Sequence, residues 1–89
     1  MAFEWDESKN FSNYLKHGIR FEEAVWIFED PYYIVMNDEH PEEDRFVCVG
    51  LSHYMGVLVV IYCERGDLIR IISARKANQN EKGMYEKAL

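Results

Sequence analysis

Tyr62-Cys63-Glu64-Arg65-Gly66-Asp67-Leu68-Ile69-Arg70-Ile71-Ile72-Ser73-Ala74-Arg75-Lys76 decides how this 89-residue chain folds. Two apolar runs flank Gly66-Asp67, and glycine at the first loop position suits a type II′ hairpin. An arginine among isoleucines is costly unless its charge has a partner or faces water. Arg65, Arg70 and Arg75 in one hairpin imply a surface that receives an anion. Phosphate fits, because the guanidinium fork matches its oxygens. With a two-residue loop, Arg65 opposes Leu68, Cys63 opposes Arg70 and Ile61 opposes Ile72. Arg65 and Arg70 then share one face, and Glu64, Tyr62, Ser73 and Arg75 the other. A longer loop, or a bulge at Glu64-Arg65, regroups them, and the sequence leaves these registers open.

Val57 to Glu64 is apolar on both faces, which suits a central strand. Upstream, Tyr32 to Met36 and Arg45 to Leu51 read as strands, separated by an acidic loop from Asn37 to Asp44. A turn over Ser52–Gly56 leads into Val57, and Leu68 to Ala74 is the last strand. Before them, Phe3-Glu4-Trp5 is a short alternating strand. Asp6 caps a helix to about Lys16, with Phe11, Tyr14 and Leu15 as its apolar stripe, and His17-Gly18 ends it. A second helix from about Phe21 to Glu29 puts Phe21, Ala24, Val25 and Phe28 on one face, and Pro31 stops it. Asn78 caps a C-terminal helix that Gly83 weakens. The expectation is one α+β domain over 1–89. Two N-terminal helices pack on a four-stranded antiparallel sheet, with a short N-terminal strand and a C-terminal helix added.

Hydrophobic residues make up 48% of the chain, enough to bury a core and to exclude disorder. The net charge of −6 argues against a generic nucleic-acid binder. Its distribution says more: residues 1–64 carry −9, and residues 65–89 carry +3. A polyanion site therefore belongs in the C-terminal third, while the acidic remainder suits a basic protein partner. No apolar run approaches the length of a membrane span, and the acidic start does not read as a signal peptide, so the expected location is cytoplasmic. Cys48 and Cys63 then read as reduced core thiols; no cofactor or metal site is expected, since neither they nor the acidic loop match a ligand spacing.

Cleaving RNA by transesterification needs a base for the 2′-hydroxyl, cations for the phosphorane and an acid for the leaving oxygen. Arginines serve the second need, and Glu64, His17 or Lys16 can move the proton. The competing reading pairs Arg45, Arg65 and Arg70 with Asp44, Glu64 and Asp67 as surface salt bridges. Likewise His17 before a glycine also serves as a helix-end residue. Trp5, Trp26, Tyr32 and Tyr33 read as core or interface residues rather than base-stacking platforms.

Together, Trp5-Asp6-x-x-Lys9, Lys16-His17-Gly18-Ile19-x-Phe21-x-Glu23-Ala24, Phe28-x-Asp30-Pro31, Asp44-Arg45, Tyr62-x-x-Arg65 and Arg70-Ile71-Ile72-Ser73-Ala74-Arg75-Lys76-Ala77 resemble the BrnT family of bacterial type II toxins. The resemblance runs from about Phe3 to Tyr85. It implies a RelE-like fold and a metal-independent endoribonuclease that blocks translation. It also implies a BrnA-type antitoxin that covers the toxin, binds operator DNA and represses the operon. Trp26 or Tyr32 and Tyr33, if exposed, would suit a toxin homodimer within that complex. On this sequence it implies phosphate and transition-state roles for Arg65 and Arg75, and proton transfer by His17 or Glu64. Lys16, Arg70, Ser73 and Lys76 would contact RNA. The chain departs from ribonuclease toxins in its acidity, and its C-terminal helix is short. A second hypothesis is therefore a catalytically weak or inactive partner-binding module that acts with its antitoxin in operon repression.

Overall fold

A five-stranded sheet forms the middle layer of the structure, a computed structural model describing residues 1–89. Its strands are β1 (Ala2–Glu4), β2 (Ile34–Asp38), β3 (Arg45–Ser52), β4 (Gly56–Arg65) and β5 (Leu68–Lys76), in the spatial order β1-β5-β4-β3-β2. The last four form the expected antiparallel meander. The N-terminal strand corrects the sequence reading: β1 is not separate but extends the sheet, parallel to β5, with Ala2 beside Leu68 and Glu4 beside Arg70. The sheet is thus mixed and five-stranded. Three alternating residues announce a strand but not its neighbour; the helical crossover that follows makes a parallel pairing possible.

Helices α1 (Glu7–His17) and α2 (Phe21–Ala24) follow β1, and α3 (Gln79–Lys87) follows β5. Asp6 caps α1 by accepting from the amides of Ser8 and Lys9, and Gly18 closes it in the left-handed region at φ 74°. The face that α1 buries is the reverse of the expected one. Phe11 and Leu15 are exposed, whereas Asn10 and Asn13 are buried. The two asparagines are held inside because each satisfies backbone groups that would otherwise lack partners. The Asn10 carboxamide accepts from the Phe21 amide at the start of α2 and donates to Glu22, at 2.8 and 2.7 Å. Asn13 does the same for β5, as described below.

The second helix is also shorter than expected. It is α-helical only over Phe21–Ala24 and continues as a 3-10 segment over Val25–Glu29. At three residues per turn, Ala24 and Ile27 stack on one side. Both are fully buried, while Val25 is only half-buried. This segment crosses β3 closely at Gly50. A Cβ there would lie 3.0 Å from the Ile27 Cβ and 3.1 Å from its carbonyl oxygen.

Two cores follow from the layering. Ile19, Phe21, Ala24, Ile27 and Phe28 pack on Cys48, Leu58, Val60, Tyr62, Ile71 and Ala74 on one face of the sheet. On the other face Val49 and Val59 pack against Ala77 and Tyr85, beneath α3. Cys48 lies opposite Val60, as the hairpin at 52–56 requires, and both cysteines are free and buried. Burial pushes the Cys48 thiol up to about 12, so it stays protonated and packs as an apolar group. No helix is long and apolar enough to cross a membrane.

Because Gly50 serves close approach and not an unusual backbone angle, Gly50→Ala forces the 3-10 segment away from β3. The expected loss is about 1–3 kcal/mol of unfolding free energy, read by urea denaturation.

Candidate active site

The β4–β5 hairpin keeps the tight-turn register at its tip. Gly66 takes a positive φ of 61°, Arg65 opposes Leu68, and Cys63 opposes Arg70. Above that the register shifts: Tyr62 opposes Ile71, but Ile61 opposes Ser73 and not Ile72. Ile72 is the extra residue of a β-bulge. The bulge lies in β5, not at Glu64-Arg65. Side chains alternate along a strand, so one extra residue reverses the faces beyond it. Arg65, Arg70, Ser73 and Arg75 consequently share the face of the sheet opposite α1 and α2. The Arg45 side chain joins them by its place on β3.

Asn13 holds the strand beyond the bulge. β1 pairs with β5 only as far as Arg70, so the outer edge of β5 is open there. The Asn13 carboxamide takes the place of a strand: its Oδ1 accepts from the Ala74 amide at 3.1 Å and its Nδ2 donates to the Ala74 carbonyl at 2.8 Å. The same Nδ2 donates to the Ile19 carbonyl at 3.0 Å, which fixes the chain leaving α1.

Three of the face's four arginines are held by carboxylates. Arg45 pairs with Glu43 at 2.8 Å, Arg70 with Glu4 at 3.6 Å, and Arg75 with Glu81 of α3 at 2.7 Å. These are not the partners expected from neighbours in sequence. The Arg75–Glu81 contact is bidentate, with the second bond at 2.8 Å. The hydrogen bond from Arg75 holds the Glu81 carboxyl below its ordinary value against some desolvation. Glu81 also accepts from the Asn78 amide while Asn78 accepts from Glu81's, so one carboxylate caps α3 and ties it to β5. The Tyr85 hydroxyl fastens the other end of α3, donating to Asp30 at 2.5 Å. Desolvation opposes the charge of Asp30, but bonds from Tyr85, Leu51 and Tyr32 outweigh it and lower its carboxyl. Arg65 alone on this face is exposed and without an ion pair.

The other sequence candidates lie elsewhere. Glu64 pairs with Ile69 and Lys76 with Leu58, which places both on the face that carries α1 and α2. Lys16 and His17 end α1, one turn beyond the Asn13–Ala74 contact, and neither bonds to an arginine. Sequence reasoning missed Asn13, Glu4 and Glu81 as the groups that position the arginine face. Only Glu81 carried a signal, the Asn78-x-x-Glu81 capping box.

Removing either contact has a defined outcome. Asn13→Ala strands the amide and carbonyl of Ala74; stability should fall by roughly 1–3 kcal/mol, with faster hydrogen exchange at the Ala74 amide. Glu81 has a lowered carboxyl, so its ion pair stabilises the fold above the ordinary glutamate range and is lost as pH falls through the lowered value. Glu81→Gln should be less stable than wild type at neutral pH, and the gap should close on acidification in thermal melts at stepped pH.

The family model for the ribonuclease toxin BrnT of type II toxin–antitoxin systems matches residues 5–81. Among solved structures, the ribonuclease toxin BrnT of Brucella abortus is similar, with 26% sequence identity and a TM-score of 0.68. The match covers 89% of this chain and 99% of that one. No curated relative matches. A mixed five-stranded sheet with an arginine-bearing face, and a family match over most of its length, make the chain a member of the BrnT family of ribonuclease toxins of type II toxin–antitoxin systems.

Proposed function

We propose that this protein, as one RelE-like domain in the cytoplasm, cleaves RNA without a metal at the open end of its arginine face and so inhibits translation. The observation that carries this is Arg65: an unpaired guanidinium at a strand end, on the same face as Arg70 and Ser73. Arg65 supplies charge to the phosphorane, where removing one such donor typically costs a hundredfold or more. Arg70, loosely held by Glu4, positions the phosphodiester, and the Ser73 hydroxyl offers a further hydrogen bond. Arg75 is committed to Glu81, so its first role is to support the face; contact with RNA requires that pair to open. Proton transfer falls to His17 or Glu64, neither of which lies on the arginine face: Glu64 stands on the face that carries α1, and His17 ends that helix. A BrnA-type antitoxin neutralises the toxin and carries it to operator DNA, with a toxin homodimer in that complex.

The self-neutralised face and the net charge of −6 also support the second reading, a weakly active partner module in operon repression. Induced expression separates the two. The nuclease reading expects growth arrest, loss of arrest with Arg65→Ala, and cleavage of RNA in EDTA that falls about a hundredfold in the variant. Normal growth with well-expressed wild type, and intact RNA even with ribosomes present, would support the module instead.

A further inference from the structure

Away from the arginine face, Trp26 stands on the 3-10 segment with 59% of its surface exposed. Two hollows flank it. One of about 350 Å³ lies between Glu22, Glu23 and Trp26 and the β3–β4 turn at Ser52–Met55. The other, about 310 Å³, lies between Trp26, Glu29, Asp30 and Leu51. They share Trp26, Ser52 and His53, so they form one groove with the indole at its middle. Leu51 and Tyr54 add exposed apolar surface beside it.

The electrostatics of the groove are one-sided. Glu22, Glu23, Glu29 and Asp30 flank it, and no lysine or arginine lines it. None of the four carboxylates has an ion pair; all three ion pairs of the molecule lie elsewhere. Their hydrogen bonds come from neutral donors: Asn10 to Glu22, the Arg20 amide to Glu23, and Tyr85 with two amides to Asp30. Arg20, the nearest cation in sequence, stacks on the Tyr14 ring at 4.0 Å and favours the charge of Glu22 from a distance without pairing with it. Negative charge without ion pairs around an exposed tryptophan suits a cationic protein surface with an apolar anchor.

We propose that this groove docks the antitoxin, through a segment in which lysines or arginines flank a bulky apolar side chain. The proposal rests on the reading of this chain as a type II toxin, which entails an antitoxin partner. RNA is excluded by the like charge. A second copy docked groove to groove is disfavoured too, since it would bring the same acidic surface. The groove sits at the Gly56 end of β4, and Arg65 is at the other end on the opposite face. Anchoring and inhibition are therefore separate contacts: a partner held here still has to reach the arginines by another segment.

The test uses the full-length toxin and the antitoxin encoded beside it, with affinity measured by titration calorimetry. Trp26→Ala should weaken binding roughly 30-fold or more, as loss of a central aromatic anchor does. Glu29→Lys should slow association and flatten the salt dependence. Unchanged thermal melts establish that both variants fold. In cells, each variant should still arrest growth, but antitoxin co-expression should no longer relieve it fully. Wild-type affinity in both variants overturns the proposal. So does a wild-type toxin dimer that Trp26→Ala dissociates while antitoxin binding is unchanged, since the occupant is then a second copy. A wild type that fails to arrest growth counts against the nuclease reading alone, because calorimetry still reports on the groove.

Discussion

Beyond Arg70 the outer edge of β5 has no strand beside it, and the Asn13 carboxamide is what closes it. Much else depends on that contact. It replaces a missing neighbour for one residue, and it does so just past the bulge at Ile72, where the strand has changed its phase. It also fixes α1, a helix that buries almost no apolar surface of its own. With α1 held, the chain through Ile19 enters the core, and the 3-10 segment can cross β3 at Gly50. A single polar side chain thus links the position of the first helix to the face on which Ser73 and Arg75 appear.

The same face shows how the molecule tolerates a cluster of cations. Arginines that share one face repel one another where they are neighbours, and burial of their stems on a sheet raises that cost. Carboxylates from three different elements offset it: Glu4 from β1, Glu43 from the acidic loop and Glu81 from α3. The pairs are unequal. Arg75–Glu81 is bidentate and partly shielded, whereas Arg70–Glu4 is long at 3.6 Å and yields more readily to a phosphate. The gradient of pairing, from locked Arg75 to free Arg65, gives the face a firm end and a receptive end.

Much of this was legible in the sequence. Gly66-Asp67 fixed the hairpin tip, the run from Val57 named the central strand, and Asp6, Gly18 and Asn78 marked helix ends. What failed did so for identifiable reasons. Periodicity assumes that the apolar stripe of a helix is the buried one; on α1 the unsatisfied backbone of α2 and β5 claimed the two asparagines instead, and Phe11 and Leu15 were left outside. The α-to-3-10 change at Val25 altered which residues stack, and propensity does not encode it. The bulge left no local mark, because Ile71-Ile72 reads equally well in either register. For the site, the arginines could be named from the sequence, but their shared face could not, since that depends on one unpaired residue.

The pairing of β1 with β5 carries a consequence for how the molecule is made. Ala2 and its partner Leu68 lie far apart in sequence, with α1, α2, β2, β3 and β4 made between them. The sheet therefore cannot close on its β1 side until β5 has been made, and a contact so distant in sequence is slow to form. Glu4 reaches Arg70, and Asn13 reaches Ala74, only at that stage. A chain stalled before β5 has no assembled arginine face, so the fold withholds its chemistry until that strand is in place.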